Sequence, residues 1–263
     1  MHGGGGTDPS GIVLVHSLGM TGDVWNDVAE RLEDRVAVLT YDCRGHGAST
    51  RAPGPYSVEM FAGDLVDLLD AVGWDAAHLA GASMGGNVSL QTTILCPHRV
   101  RTLGLVDTTA WYGSDAPERW EQRARDVETK GLEPLVEFQE SRWFSDRFRA
   151  QKAAPIVRCR EILLGNDRGC YAASCRMLGA FDLREGLEGL RMPAAIVVGE
   201  EDYATPVAMA RQLEAGIGGA TLQILPGLRH LTFVERPDIV ADVLSNLMSR
   251  VAGPVRTLGG GSS

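Results

Sequence analysis

Three short segments of the chain carry a serine, an acid and a histidine, in that order. Ser83 is the central residue of a Gly-x-Ser-x-Gly segment, Asp202 follows a later apolar run, and His230 follows the last one. A serine hydroxyl is a weak nucleophile at neutral pH and needs a neighbouring base to activate it. A histidine that a carboxylate orients is a suitable base. The three residues therefore predict nucleophilic acyl transfer, with Ser83 as the attacking group.

The residues around Ser83 fit that chemistry. Gly-x-Ser-x-Gly is typical of a sharp turn between a strand and a helix, because Gly81 and Gly85 carry no side chains that would clash there. We expect His230 to take the proton of Ser83 and to return it to the leaving group. The alternative is a glycine-rich turn in which the serine only caps the following helix.

The acid that orients His230 is one of three neighbouring candidates. Glu200, Glu201 and Asp202 all follow the apolar run that ends at Val198. Asp202 is favoured because its segment reads Gly-x-x-Asp-x-x-x-Pro, a pattern often found at this point of such folds. Asp202 would then stabilise the charged form of His230 during the reaction.

Acyl transfer also requires hydrogen-bond donors for the oxygen that becomes negatively charged. One expected donor is the backbone N–H of Met84, the residue after the nucleophile. The second is expected from the turn at residues 16–19, and we assign it to the N–H of Leu18. A tight turn without a catalytic role would also explain the glycine at the end of this segment.

Short apolar runs alternate with helical patterns over most of the chain. Runs bounded by turn residues predict buried strands of a parallel sheet. Amphipathic helices between them, one of them opening at an N-cap Ser57, predict helices on both faces. The fold class is therefore α/β, with a mostly parallel sheet between helices. The expected strands lie at 11–16, 36–41, 77–80, 103–106, 194–198 and 221–225.

The stretch from 111 to 190 interrupts this alternation. It has helical periodicity, contains no clear strand and is rich in Arg, Glu and Trp. Long insertions at strand ends commonly form lids that set specificity. We therefore expect a core built from residues 1–110 and 191–263, with residues 111–190 as an inserted helical cap. Glycine tracts at 3–6 and 259–261 are typical of flexible linkers.

Composition and charge exclude several classes of protein. A net charge of −9 argues against nucleic-acid or anionic-membrane binding, and no apolar run is long enough to span a membrane. The five cysteines match no zinc spacing, which predicts reduced thiols, no metal and a cytoplasmic location. Asp64, Asp67 and Asp70 lie away from the apolar stripe of their helix and indicate a solvated face. No pattern indicates an oligomeric state, and the expected partner is a small-molecule substrate.

These motifs together resemble those of the α/β-hydrolase superfamily over nearly the whole length of the chain. More narrowly, the chain resembles the 3-oxoadipate enol-lactonases. The narrower resemblance rests on five segments: His-Ser-Leu-Gly at 16–19, Tyr-Asp-x-Arg-Gly-His-Gly at 41–47, Gly-Pro-Tyr-Ser at 54–57, Arg-Trp-Phe at 142–144 with Phe-Arg at 148–149, and Asp-x-Gly-Cys-Tyr at 167–171.

The resemblance implies an enzyme that opens a small enol-lactone bearing a carboxylate tail. Ser83 would attack the lactone carbonyl, and water activated by His230 would release the acyl group as a keto acid, without a metal or cofactor. Trp143 is the implied pocket residue of the cap, and Arg142 and Arg149 are implied partners of the carboxylate. Other arginines of the cap remain open for that role: Arg147, Arg158 and Arg160.

Two features depart from the family's pattern. Its usual β-hairpin has no counterpart before residue 12, which predicts an exposed sheet edge at residues 36–41. Arg229 precedes His230 where relatives have small residues, so it either contacts an acidic substrate or points to solvent.

Arg44 and His46 follow a strand end and are expected to be mainly structural, with contact to substrate as the alternative.

Several other functions would use the same residues. An esterase, another lactonase or a carbon–carbon bond hydrolase would rely on the same serine, acid and histidine, and the cap would decide among them. A non-catalytic small-molecule receptor on this fold is a further alternative. Dehalogenases and epoxide hydrolases of this superfamily carry aspartate where this chain has Ser83, so both are excluded.

Overall fold

A parallel sheet runs through the centre of the protein. The computed structural model describes residues 11–251, so the predicted linkers at both ends lie outside the described residues. The sheet of the described residues has six strands: β1 (Ile12–Val15), β2 (Val38–Tyr41), β3 (Ala77–Ala82), β4 (Val100–Val106), β5 (Ala194–Gly199) and β6 (Thr221–Leu225). Their order is β2-β1-β3-β4-β5-β6, and every neighbouring pair is parallel.

Helices connect and cover the strands. In chain order they are α1 (Asn26–Leu32), α2 (Val58–Ala71), α3 (Met84–Leu95), α4 (Ala116–Lys130), α5 (Val136–Trp143), α6 (Asp146–Gln151), α7 (Ala153–Leu164), α8 (Arg168–Ala180), α9 (Val207–Gly216), α10 (Thr232–Glu235) and α11 (Pro237–Ser249). Helix α1 packs against α11, and α2 packs against α3. The side chain of Ser57 accepts a hydrogen bond from the N–H of Met60, so it caps α2 as expected.

The predicted α/β class is confirmed, and the strands differ from prediction mainly at their ends. Every residue of β1, β3 and β5 is buried, because helices cover both faces of a parallel sheet. β4 begins at Val100, three residues before its expected start. Among residues 11–251, β2 is one edge of the sheet, at the position that the sequence predicts.

Five helices, α4 to α8, lie between β4 and β5 in the chain. This is the stretch that interrupts the strand–helix alternation, and it contains no strand. Helices α4 and α8 pack closely against each other. The helical character of the insertion follows the expectation, whereas its role as a cap and its boundaries at 111 and 190 stay predictions.

The strand order reverses between β1 and β3. The chain passes from β1 to β2 on one side and then returns to β3 on the other side of β1. In parallel sheets of this type the crevice at such a reversal, at the carboxyl ends of the strands, is where ligands bind. Here that point brings the turn after β1 next to Ser83, which follows β3 directly.

The backbone at Ser83 has an unusual conformation. Its φ is 52° and its ψ is −116°, a combination that non-glycine residues rarely adopt. β3, α3 and β1 pack so closely next to Ser83 that positions 81 and 85 have no room for a side chain. A Cβ on Gly81 would lie 2.0 Å from the carbonyl oxygen of Gly85, and a Cβ on Gly85 would lie 2.1 Å from that of Val15. These glycines therefore allow α3 to start directly against the sheet.

Two helical glycines provide a matched test of this packing. We expect Gly85→Ala to lower the free energy of unfolding by about 2 kcal/mol or more, because the added methyl meets a rigid backbone oxygen. Gly63→Ala, on the exposed face of α2, adds a methyl group that meets no atom within 4 Å. We expect it to raise the free energy of unfolding by up to about 1 kcal/mol. Urea denaturation measures both. A Gly85→Ala protein as stable as the unsubstituted one would contradict this account.

Candidate active site

Ser83, His230 and Asp202 form one chain of hydrogen bonds. The Nε2 atom of His230 lies 2.9 Å from the Oγ atom of Ser83, and its Nδ1 atom lies 2.8 Å from Oδ2 of Asp202. Because a carboxylate only accepts hydrogen bonds, Nδ1 carries the proton and Nε2 is free to accept the proton of Ser83. The structure thus brings Ser83 together with two residues that lie more than a hundred positions later in the sequence.

Asp202, and neither neighbouring glutamate, contacts His230. Its carboxylate is fully buried and accepts further hydrogen bonds from the N–H of Ala204 at 2.7 Å and from Thr205. Glu200 accepts a hydrogen bond from a backbone N–H elsewhere, and Glu201 lies 3.4 Å from an arginine. The side chain of Asp202 is therefore held in one orientation by its own loop.

The electrostatics of the pair favour a charged carboxylate and a basic imidazole. Burial acts to raise the pKa of Asp202, but its interaction with His230 outweighs that effect and the pKa lies below its usual value. Burial acts to lower the pKa of His230, but the carboxylate of Asp202 outweighs it and the pKa lies above its usual value. Asp202 thus makes His230 a stronger base.

The turn after β1 presents the expected second amide. The N–H groups of Leu18 and Met84 donate no hydrogen bond to any acceptor within residues 11–251, and both residues lie beside Ser83 or its cavity. His16 fixes this turn, since its Nε2 accepts from the N–H of Cys43 at 2.8 Å and its Nδ1 donates to the carbonyl of Ser17 at 2.8 Å. Burial lowers the pKa of His16, which keeps it neutral in this role.

Arg44 and His46 lie away from the residues that line the cavity at Ser83. Arg44 donates a hydrogen bond to Asp64, with Nε–Oδ2 at 2.6 Å. Asp64 is therefore paired with an arginine, whereas the sequence predicts a solvated residue. His46 is buried against the ring of His16, and burial lowers its pKa to about 3. His46 thus packs against the histidine of the turn, Arg44 joins its own loop to α2, and neither residue lines the cavity at Ser83.

A cavity of about 240 Å³ opens over Ser83 and His230. Trp143 is buried and lines it, as does Arg142, so the structure places both predicted residues at the cavity. Sequence reasoning missed several other lining residues, which come from the insertion and from the loop after β5: Tyr112, Arg119, Trp120, Arg123, Phe138 and Tyr203. In the sequence these residues show only as aromatic residues and arginines. Core packing would equally explain the aromatic residues, and a solvated face the arginines.

Arg149 does not line this cavity, which corrects the sequence-based assignment. It is exposed and pairs with Asp146, with Nη2–Oδ1 at 2.5 Å, on the short helix α6. Two of the alternatives are also engaged elsewhere. Arg160 pairs with Glu140, and Arg158 donates to the carbonyl oxygen of Asp23. The third alternative, Arg147, is exposed and does not line the cavity either, so Arg142 is the one predicted carboxylate partner that does.

A match to a family model decides the assignment of the fold. Residues 12–243 match the model of the alpha/beta hydrolase family. The chain belongs to the α/β-hydrolase family. This result confirms the resemblance inferred from the motifs around Ser83 and His230.

The solved and characterised relatives include enol-lactonases. The chain is 29% identical over 246 residues to 3-oxoadipate enol-lactonase 2 of Acinetobacter baylyi, covering 94% of this chain and 91% of the relative. The enol-lactonase of Burkholderia xenovorans LB400 has a TM-score of 0.89 at 30% identity, with 94% of each chain covered. A thermophilic esterase of Thermogutta terrifontis, solved with malate bound, has a TM-score of 0.89 at 25% identity, covering 95% and 92%. This α/β-hydrolase is an enzyme that hydrolyses ester bonds.

Arg229 ties the insertion of this α/β-hydrolase to the loop of His230. It is buried and donates from Nη1 to the carbonyl oxygens of Ser141 at 2.8 Å and Phe144 at 3.1 Å. The N–H of His230 in turn donates to the carbonyl of Arg142 at 3.3 Å. Arg229 therefore does not line the cavity at Ser83 and does not point to solvent, whereas the sequence suggested one role or the other.

Asp107 is a second buried carboxylate near His230, and sequence reasoning missed it. It follows β4 directly with a left-handed φ of 47°. Its oxygens accept from the N–H of Gly199 at 3.2 Å and from the N–H and hydroxyl of Thr232 at 2.9 and 2.7 Å. Burial and the nearby Asp202 raise the pKa of Asp107. Because Gly199 precedes Asp202 and Thr232 follows His230, Asp107 holds the two loops at a fixed separation.

Among residues 11–251 no cluster of three side chains is suited to binding a metal ion. No helix in the same range is long and apolar enough to cross a membrane. All five cysteines are free, and burial raises the pKa of Cys43 to about 12.

Substitutions of Asp107 and Thr232 test, in two steps, the contact that connects the loop of Asp202 with the loop of His230. We expect Asp107→Ala to lower the free energy of unfolding by about 3 kcal/mol, because buried N–H groups of Gly199 and Thr232 lose their acceptor. Thr232→Val keeps the N–H and loses only the hydroxyl, so we expect a loss of about 1 kcal/mol. Denaturant titrations give both values. Equal stabilities of the two variants would show that Asp107 holds neither loop.

Proposed function

We propose that this protein is a serine hydrolase that opens a small enol-lactone bearing a carboxylate, of the 3-oxoadipate enol-lactone type. The observation that carries the proposal is the contact of His230 with Ser83 at 2.9 Å beneath a cavity lined by aromatic and arginine side chains. The enol-lactonases of Acinetobacter baylyi and Burkholderia xenovorans support the same substrate class.

The first half of the proposed reaction forms an acyl-enzyme. As the Oγ atom of Ser83 bonds to the lactone carbonyl carbon, its proton passes to Nε2 of His230. The ring C–O bond then breaks, and the enol oxygen that leaves receives the proton from His230. The former lactone is now an ester of Ser83 that carries an enol, which isomerises to the ketone.

The second half releases the product. A water molecule gives a proton to Nε2 of His230 while its oxygen bonds to the same carbonyl carbon. The bond to Oγ of Ser83 breaks, the proton returns to Ser83, and the keto acid leaves. Asp202 stabilises the imidazolium that exists in each half, consistent with its fixed position at 2.8 Å from Nδ1.

Two backbone N–H groups stabilise the negatively charged carbonyl oxygen in both halves of the proposed reaction. We assign them to Leu18 and Met84, since neither N–H has another acceptor within the described residues. The start of α3 adds a favourable potential, because unpaired N–H groups at a helix N-terminus stabilise negative charge. Trp143 then supplies an apolar wall for the small ring.

An esterase with the same residues is the second candidate. The esterase of Thermogutta terrifontis supports it, and that protein was solved with malate, a small dicarboxylate. A lactonase for another ring or a carbon–carbon bond hydrolase would share the mechanism at Ser83 and differ only in how the cavity fits the substrate. Steady turnover of any of these substrates excludes the non-catalytic receptor that the sequence left open.

The substrate class is tested by following the ultraviolet absorbance of 3-oxoadipate enol-lactone. We expect rapid loss with the unsubstituted protein and at least about a 10³-fold lower rate with Ser83→Ala, since the nucleophile is gone. Ser89→Ala, a buried serine of the same helix outside the cavity, is the matched control and should retain activity. Faster cleavage of simple aryl esters than of the enol-lactone would favour the esterase.

The pH dependence tests the role of Asp202. Activity requires neutral His230, so kcat/KM should rise with pH through the pKa of His230, which lies above 6.5. Asp202→Asn removes the charge that raises this pKa. We therefore expect the acidic limb of the profile to move to lower pH while the rate falls by about 10³-fold or more. An acidic limb that stays in place or moves to higher pH would contradict the assignment.

A further inference from the structure

Two guanidinium groups at the cavity have no carboxylate partner within the described residues. Arg119 lines the same cavity but pairs with Asp115 at 2.8 Å. Within residues 11–251 the guanidinium of Arg123 has polar and stacking partners only in the hydroxyl of Tyr171 and two aromatic rings, and that of Arg142 only in the rings of Phe138 and Tyr203. An arginine stays charged at any working pH, so both bring uncompensated positive charge to the cavity.

The two arginines lie in different surroundings although both are half-buried. Arg142 stacks on exposed rings, with Phe138 at 48% and Tyr203 at 57% exposure, and it also lines an adjoining open groove. Water therefore reaches it easily. Arg123 lies over the partly buried ring of Trp120, at 5.4 Å, and over Tyr171, which is fully buried. Its charge interacts more strongly with a ligand because less water screens it.

Tyr171 fixes the orientation of Arg123. The phenolic oxygen accepts hydrogen bonds from both Nε, at 3.1 Å, and Nη2 of the guanidinium. These bonds use one edge of the planar group and leave Nη1 without a partner among residues 11–251. A guanidinium held on one edge and unpaired on the other is prepared to bind a carboxylate.

We propose that Arg123 is the residue that selects a carboxylate-bearing substrate, by pairing with that carboxylate inside the cavity. Arg142 acts at the mouth of the cavity, where the cavity meets the adjoining open groove. There it attracts anions to a protein whose net charge is −9. The proposal deepens the proposed function and rests on it. It assigns recognition to a residue of α4 that the motifs around the nucleophile do not involve.

The electrostatic cost of an unpaired cation supports this assignment. A charge removed from water without a partner destabilises the folded protein, and such groups persist where a ligand uses them. Arg123 also lies close enough to the reacting groups for its charge to act on the pKa of His230, where it opposes the effect of Asp202. An anion paired with Arg123 would therefore be held within reach of Ser83.

Two lactones that differ by one carboxylate give the test. The substrate is 3-oxoadipate enol-lactone, and the neutral comparison is α-angelica lactone, in which a methyl group replaces the carboxymethyl group. For Arg123→Gln we expect kcat/KM to fall by about 100-fold on the carboxylate-bearing lactone and by less than about 3-fold on the neutral one. Equal losses on both lactones would overturn the proposal.

Arg125→Gln is the matched control, because it removes the same charge from the exposed face of the same helix, where Arg125 pairs with Glu121 at 2.8 Å. It should leave both lactones unaffected. We expect the thermal midpoint of Arg123→Gln to be unchanged or higher, since an unpaired cation is lost. Arg142→Gln should mainly raise KM, and by less than about 10-fold. A larger loss with Arg142→Gln than with Arg123→Gln would move the selecting role to the mouth and overturn the assignment.

A separate measurement keeps this proposal distinct from the proposed function. If the protein cleaves aryl esters but not the enol-lactone, the proposed substrate fails, and inhibition of aryl-ester hydrolysis by adipate then tests Arg123. An inhibition constant at least about 10-fold higher in Arg123→Gln supports carboxylate binding. Absence of inhibition in the unsubstituted protein, or an equal constant in the variant, overturns it.

Discussion

The backbone of Ser83 is the constraint on which the rest of the site depends. Its φ of 52° turns the chain from β3 into α3 within one residue and presents the hydroxyl at the carboxyl edge of the sheet. The conformation persists because Gly81 and Gly85 let the helix start against the backbone of β1. That same close approach sets Met84 beside the turn of Leu18, so the proposed nucleophile and both proposed amides are positioned by one packing arrangement.

The histidine must be brought to this fixed serine by loops that have no such support of their own. Asp107 provides it from the sheet side, by joining Thr232, two residues after His230, to the end of β5. Arg229 provides it from the other side, through the carbonyl oxygens of residues in the insertion. The insertion therefore both lines the cavity and holds the loop of His230, the proposed base.

The sequence was informative where local rules act and silent where distant segments meet. Ser83, Asp202 and His230 were predictable because each follows a strand end, and parallel strands bring such residues to one edge. Asp107 follows a strand end too, but its role depends on donors more than 90 residues away. Arg149 and Arg123 look alike in sequence, and only the packing of α4 on α8 and the pair with Asp146 separate them. Arg229 was misjudged for the same reason.

The central claim is that His230 and Asp202 make Ser83 a nucleophile, and reaction with a fluorophosphonate tests it most directly. The probe forms a stable phosphorus–oxygen bond with an activated serine as fluoride leaves, and peptide mass spectrometry locates the adduct. We expect one adduct per chain, on Ser83, with activity lost in proportion and labelling slowed in Asp202→Asn. An adduct on another residue, or inactivation that leaves Ser83 unmodified, would contradict the account.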